Sequence, residues 1–345
     1  MTTRGAGWQR IVGHDWAVHL LSNAVNHDRI GHAYLITGPA QIGKMTLART
    51  LAQALNCAAD PPLRPCGECR SCALIAADRH PDVRVVLPEI SERGIPSIKI
   101  EQIRRLQQDL SLSAYEGRYK IALLKQFDAA NANAANAFLK TLEEPPGHVI
   151  LILTAADSES ILPTIASRCQ TVALRPTPAV LIEEALMTRW RARTEDANLL
   201  AHLADGRLGW AVEALQDRAR LETRADHLDL LYRALQGNLI ARFSLAETLA
   251  RKAETLPDML QTWLSWWRDL VLLAFDRRAQ DRVANIDQSA RLITCAGNWP
   301  PRRILDGLSQ TERGLRLLRQ NANTRLVLEN LMLTYPFDPA SIQSE

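Results

Sequence analysis

Short apolar runs alternate with amphipathic stretches through the first half of the chain, and only amphipathic stretches follow. Residues 33–37, 83–87, 120–124, 149–153 and 171–174 are each about one strand long and largely apolar. That pattern predicts strands of a parallel sheet covered on both faces. Helical spacing fills the gaps at 44–56, at 99–110 (Ile100, Ile103, Leu106 and Leu110 inward) and at 130–142. Ahead of the first strand, Asp15 can cap a helix with Trp16, Leu20, Leu21, Ala24 and Val25 along one side. Strand and helix in alternation predict right-handed crossovers in an α/β layer.

Arg175-Pro-Thr-Pro178 breaks this alternation and reads as a linker. Residues 179–219 suit a small helical region, with turns at Asp205-Gly206 and at Gly209. Longer amphipathic helices fill 221–335, interrupted at Gly297 and Pro300-Pro301, and fraying is expected after Pro336. The expected architecture is α/β plus all-α in three parts: 1–176, 177–219 and 220–345.

Composition narrows the function classes without choosing one. A length of 345 residues, 47% hydrophobic and 23% charged, suits two or three globular domains. A formal charge of +3 with no dense Lys/Arg run gives no chain-wide nucleic-acid signal. No apolar stretch approaches the roughly 20 residues of a membrane span, and the first residues lack the apolar core of a signal peptide. The expected compartment is the cytoplasm, where thiols stay reduced.

Candidate chemistry lies first in Gly38-Pro-Ala-Gln-Ile-Gly43-Lys44, between a predicted strand and a predicted helix. Such a turn aims backbone N–H groups and a Lys at phosphate oxygens. The next residue, where Ser or Thr would hold magnesium, is Met45, and Thr46 lies about 100° round the helix. The strand that would end in magnesium-binding and water-orienting carboxylates runs into Leu124-Lys125-Gln126, with Asp128 beyond its end. Loop geometry is thus expected without hydrolysis. Nucleotide binding (ATP, ADP or neither) stays open at this point, against a vestigial turn.

Cys57, Cys66, Cys69 and Cys72 contain two interlocking Cys-x-x-Cys steps. Four thiolates at this spacing favour a closed, structural zinc site, with an iron–sulfur cluster as the alternative. Cys169 and Cys295 stand apart and read as buried thiols. Glu143-Glu144-Pro145-Pro146 and Ser167-Arg168-Cys169 are, by charge alone, a solvated helix end and a surface arginine. Trp263 and Trp267 share a helix face, expected to pack in a core; burial against a partner's helices and stacking on single-stranded DNA are the other readings.

Taken together, these motifs resemble bacterial DNA polymerase III clamp-loader subunits of the AAA+ type. The matching stretches are Ile11-Val12-Gly13-His14, His32-Ala33-Tyr34-Leu35 with the phosphate loop, and the four-cysteine insert. They continue in Asn136-Ala-Phe-Leu-Lys140-Thr-Leu-Glu-Glu-Pro-Pro146, Ser167-Arg168-Cys169 and Asn321-Ala-Asn323-Thr-Arg-Leu326-Val-Leu-Glu329. The resemblance implies an AAA+ P-loop domain over 1–176 with a zinc module at 57–72, a helical lid over 177–219 and a helical collar from 220. ATP-hydrolysing members carry a Walker A Ser/Thr, an acidic Walker B, a sensor Thr and a sensor Arg. Here the corresponding positions are Met45, Lys125 with Gln126, Ala155 or Ala156, and Gly209. The pattern is similar to the δ′ type, which offers the arginine of Ser-Arg-Cys to ATP on an adjacent γ/τ subunit. That implies a trans arginine finger at Arg168, partners of γ/τ and δ type in a hetero-pentamer, and a sliding clamp and primer-template DNA reached through the complex. Structural zinc at the four cysteines is implied as well. The alternatives are a γ/τ-type ATPase working through Lys44 and Asp128, and a zinc-bearing P-loop kinase, which leaves the helical second half unexplained.

Overall fold

Along each central strand the side chains alternate between two apolar cores, which is why the first half folds as a helix–sheet–helix layer. The computed structural model describes residues 5–90, 96–319 and 322–336. The first residues of the chain, Asn321 of the last motif and the tail after Pro336 lie outside the described residues. The chain divides into two compact units. The first runs to Ala185 and includes Gly206–Trp210; the second holds Leu186–Asp205 and the chain from Ala211 on.

In the first unit a 3-10 turn (Ala6–Arg10) leads to α1 (Asp15–Asn26), β1 (Ala33–Thr37), α2 (Lys44–Asn56) and α3 (Arg70–Ala76). There follow β2 (Val83–Val86), a two-residue antiparallel pair β3 (Glu89–Ile90) and β4 (Pro96–Ser97), and α4 (Ile100–Ser111). Then come β5 (Lys120–Leu124), α5 (Ala132–Glu143), β6 (Val149–Ala155), α6 (Pro163–Ala166) and β7 (Gln170–Ala173). The main sheet has five strands in the order β2-β5-β6-β1-β7, all neighbours parallel. Tyr34 and Ile36 pack with α1 and α2 on one face; Ala33 and Leu35 pack with α4 and α5 on the other. β1 and β5 keep their expected limits, β2, β6 and β7 differ by a residue or two, and the β3–β4 pair lies outside the expected strands.

The expected α1 face is corrected. Ala17, Val18, Leu21, Ser22 and Val25 are buried, whereas Trp16 and Leu20 are exposed. The buried stripe lies one step round from the one traced by the largest apolar residues. His14, not Asp15, precedes the helix as its cap; its buried ring nitrogen lies 3.2 Å from the Ile42 carbonyl. Ile100 is half-buried, while Ile103, Leu106 and Leu110 are fully inside. Gly209 is no turn: it is the second residue of a helix, and the turn is made by Asp205 and Gly206, both with positive φ.

From residue 179 every described element is helical: α7 (Ala179–Trp190), α8 (Thr194–Leu203), α9 (Leu208–Gln216), α10 (Ala219–Gln236) and α11 (Leu239–Ala250). The series ends with α12 (Leu256–Phe275), α13 (Ser289–Asn298), α14 (Pro301–Arg319) and α15 (Thr324–Thr334). The second unit's core gathers Trp263, Trp266, Trp267, Trp299 and Tyr335. Trp266 and Trp267 meet edge to face at 5.1 Å between centroids. Trp263 and Trp267 are therefore core residues, as their spacing suggests. A Cβ at Gly307 of α14 would come within 2.8 Å of the Trp267 ring, so only glycine lets α14 lie this close to α12.

Arg242 of α11 is fully buried. Its guanidinium donates to the carbonyls of Gly237, Met332, Tyr335, Leu235 and Pro336, at 2.8–3.2 Å. One planar cation thereby satisfies carbonyls at the C-terminal ends of α10 and α15, where the helix dipoles favour positive charge. Burial lowers its pKa to about 10, so it stays charged at neutral pH.

Two predictions concern stability. Replacing Arg242 by Met keeps the stem's bulk and strands five carbonyls; denaturant unfolding should show a loss of about 3 kcal/mol in the second unit. His14 and His227 are both held below the usual histidine pKa by burial. The folded chain therefore refuses protons that the unfolded chain accepts, and stability should fall as pH drops below about 6.5. Unfolding midpoints at neutral and mildly acidic pH check this, and the double variant H14Q/H227Q should reduce the difference, with buried His80 keeping part of it.

Candidate functional site

The sheet's parallel strands all end on one edge, and the phosphate loop opens there between β1 and α2. Gly38 and Gly43 have φ of +143° and +108°, a backbone that L side chains rarely adopt. Gly38 N–H donates to the Ala156 carbonyl at 3.0 Å, tying the loop to the end of β6. Lys44, first residue of α2, turns its ammonium onto the loop itself, donating to the Gly38 carbonyl and, at 2.7 Å, to that of Pro39. The Gln41 carbonyl accepts from Gly209 N–H at 2.8 Å, and a Cβ at Gly209 would stand 2.7 Å from that oxygen. A side chain at Gly209 would push the start of α9 off the loop.

The positions expected to serve hydrolysis hold other chemistry. Met45 is half-buried and packs against the apolar core beside α2, while Thr46 is exposed. Lys125 and Gln126 are exposed just past β5, and Gln126 has φ +51°. Asp128 sits in a 3-10 turn (Phe127–Ala129) beyond the strand end. Ala155 closes β6, and Ala156 follows it. Thr154, one place earlier, is buried, and its hydroxyl accepts from Gln126 N–H at 3.0 Å. That hydroxyl thus braces the β5 exit. No periodicity in the sequence distinguishes it.

Arg168 lies on an exposed turn after α6. Its Nη1 donates to the Thr164 carbonyl at 2.8 Å, and its Nη2 lies 2.8 Å from Glu143 Oε1. The fold thus brings together two motifs distant in the sequence: the Glu-Glu-Pro-Pro end of α5 and the Ser-Arg-Cys turn. Cys169, expected to be buried, is half-buried, and burial pushes its thiol up to about 11. Cys295 is also half-buried.

The four-cysteine insert connects α2 to α3. The sulfurs of Cys57, Cys66, Cys69 and Cys72 lie within 4.8 Å of one another, a spacing that one metal ion can bridge. Ala59 and Cys66 N–H point at the Cys57 sulfur, and Cys69 N–H at the Cys66 sulfur, at 3.3–3.4 Å. Such donors stabilise thiolate charge. Burial pushes the Cys69 thiol up, but hydrogen bonds from Ala58, Cys72 and Cys66 outweigh it and hold the thiol at about 7. Burial drives Cys57 and Cys72 the other way. Four soft donors in one cluster suit a metal and leave no open position for catalysis.

Residues 5–8 are strapped across this insert. Gly5 and Gly7 donate to the carbonyls of Pro62 and Pro65 at 3.2 and 2.9 Å, and the buried Trp8 indole donates to that of Arg64 at 2.9 Å. A Cβ on Gly5 would fall 2.4 Å from the Arg64 backbone. His80, between α3 and β2, is buried, with Nδ1 accepting from Asp82 N–H at 3.1 Å. Nε2 therefore carries the proton and faces Ser71 Oγ at 2.8 Å, so this pair is a brace and not a nucleophile with its base. Among the described residues, no helix is long and apolar enough to cross a membrane.

Residues 13–178 match the family model described as DNA polymerase III, delta subunit. The chain is 32% identical to DNA polymerase III subunit delta′ of Pseudomonas aeruginosa, across 93% of this chain and 96% of that protein. It is 35% identical to the Bacillus subtilis delta′ subunit over 61% and 62% of the two chains. Against the Escherichia coli tau subunit, identity is 33% over 61% of this chain but only 32% of the longer protein. A solved gamma-subunit-related protein from Thermotoga maritima is 18% identical, covering 92% of this chain and 97% of that one at a TM-score of 0.45.

The cysteine geometry makes a direct prediction. Elemental analysis of the purified chain should find about one metal ion per chain. Chelation, or Cys69→Ser, should release the strap over residues 5–10, raising hydrogen exchange there and reddening the Trp8 emission.

Proposed function

This chain belongs to the DNA polymerase III delta′ family, and on that premise we propose that it is a non-hydrolysing clamp-loader subunit that lends Arg168 to a neighbour's ATP. The observation that carries this is a contrast between two surfaces of one domain. Around the phosphate loop, the positions that the resemblance assigns to hydrolysis hold Met45, Lys125 with Gln126, Ala155 or Ala156, and Gly209. On the turn after α6, a guanidinium stays exposed and held in a defined direction. Phosphoryl transfer is accelerated chiefly by positioned charge, and an arginine supplied in trans is one established way to deliver it.

Each part then has a role. Gly38, Gly43 and Lys44 keep the loop's shape as a joint onto α9, whose start at Gly209 seats on Gln41. The four cysteines hold a structural zinc ion, preferred over an iron–sulfur cluster because delta′ activity as proposed here needs no electron transfer. Residues 1–176, 177–219 and 220–345 serve as AAA+ domain, lid and collar. Neighbours of γ/τ and δ type complete a five-subunit arc that opens a sliding clamp and sets it on primed DNA. The Glu143-Glu144-Pro145-Pro146 corner shapes the face toward the ATP-bearing neighbour.

The test uses the reconstituted loader. Arg168→Ala should lower clamp- and DNA-stimulated ATP turnover about fivefold or more while assembly, followed by gel filtration, is unchanged. Lys44→Ala should leave turnover unaltered, and the isolated chain with magnesium should not hydrolyse ATP. A Lys44-dependent rate from the isolated chain would instead favour the γ/τ-type ATPase.

A further inference from the structure

We propose that Glu143 is a positioning residue for Arg168: it fixes the guanidinium's direction before the neighbouring subunit arrives. This rests on Arg168 acting in trans, and names the group within this chain that prepares it.

The geometry is a two-point hold. Nη1 donates one N–H to the Thr164 carbonyl, and Nη2 forms an ion pair with Glu143 Oε1, both at 2.8 Å. The Thr164 carbonyl belongs to α6 and also accepts from Ser167 Oγ at 3.2 Å, so the backbone contact is built into the turn. Glu143 comes from a different element, the last residue of α5. A guanidinium has five N–H donors in a fixed plane; with one donated to a carbonyl and a second nitrogen held against a carboxylate, its direction is restricted while other donors remain for a phosphate.

Two features argue against a purely stabilising role for the pair. Both side chains are substantially exposed, 37% for Arg168 and 51% for Glu143. An ion pair in that setting contributes little to folding. The carboxylate also stands at the C-terminal end of α5, where the helix dipole disfavours negative charge. Helix stability would prefer Lys or Arg there. What the carboxylate does supply is restriction of a long, flexible arginine, whose rotamer freedom opposes any single pose. Part of that cost is met within the chain, ahead of contact with the triphosphate.

A double-mutant cycle in the reconstituted loader tests this. Glu143→Ala should lower the ATPase kcat about two- to threefold with the KM for ATP and assembly unchanged. Glu143→Asp, which keeps the carboxylate's charge, should recover more of the rate than Glu143→Gln, which loses it. On the Arg168→Ala background, Glu143→Ala should have no further effect. An unaltered or faster rate for Glu143→Ala, or an equal loss with and without Arg168, overturns the positioning role while leaving the arginine's role standing. If Arg168→Ala itself changes nothing, both fall.

Discussion

Magnesium takes oxygen ligands in near-octahedral geometry, and that preference bears on every position around the phosphate loop. In this fold the sheet edge and the start of α2 would offer those oxygens. They carry instead a thioether packed into the core at Met45, an ammonium at Lys125 and an amide at Gln126. On the proposed function, the strand–loop–helix frame has a different use: it joins elements. Lys44 bonds to its own loop, and Gly209 docks on Gln41 through backbone alone. The same frame places α5 and α6 side by side, so that an exposed arginine and a carboxylate meet on the outer surface. Loss of chemistry at one edge and retention of a directed cation elsewhere are, on the proposed function, two sides of one adaptation.

The N-terminal strap adds a second dependence. Trp8 is buried against the cysteine insert, and a few residues later His14 lies against the Ile42 carbonyl of the phosphate loop. Gly13, with φ +76°, lies so close to Thr177 that a Cβ would stand 2.4 Å from its methyl. A metal at the four sulfurs would therefore anchor a continuous piece of backbone that also borders the loop. Its contribution is to order, since four thiolates saturate the ion.

Much of this was legible in the sequence, for identifiable reasons. β1, α2 and β5 kept their limits because an apolar run, a Gly-x-x-x-x-Gly-Lys turn and a charged exit each mark a boundary physically. The four-cysteine cluster was legible because its spacing is local. The α1 face was not, because the exposed Trp16 and Leu20 mimic core residues at helical spacing. Gly209 resembled a turn residue because glycine serves both turns and close backbone approach; only the neighbouring Gln41 oxygen distinguishes them. The Arg168–Glu143 contact, Arg242's ring of carbonyls and the Thr154 brace all join residues far apart in the chain. Such pairings depend on topology, and nothing in local periodicity reports them.

The central claim is that Arg168 serves a nucleotide held by another subunit. The most direct measurement is a structure of the assembled loader with a non-hydrolysable ATP analogue. The account predicts the Arg168 guanidinium about 3 Å from the neighbour's terminal phosphate oxygens, with Glu143 beside it. Finding Arg168 turned away from every triphosphate, with magnesium and nucleotide seated on this chain's own Lys44 loop, would contradict it.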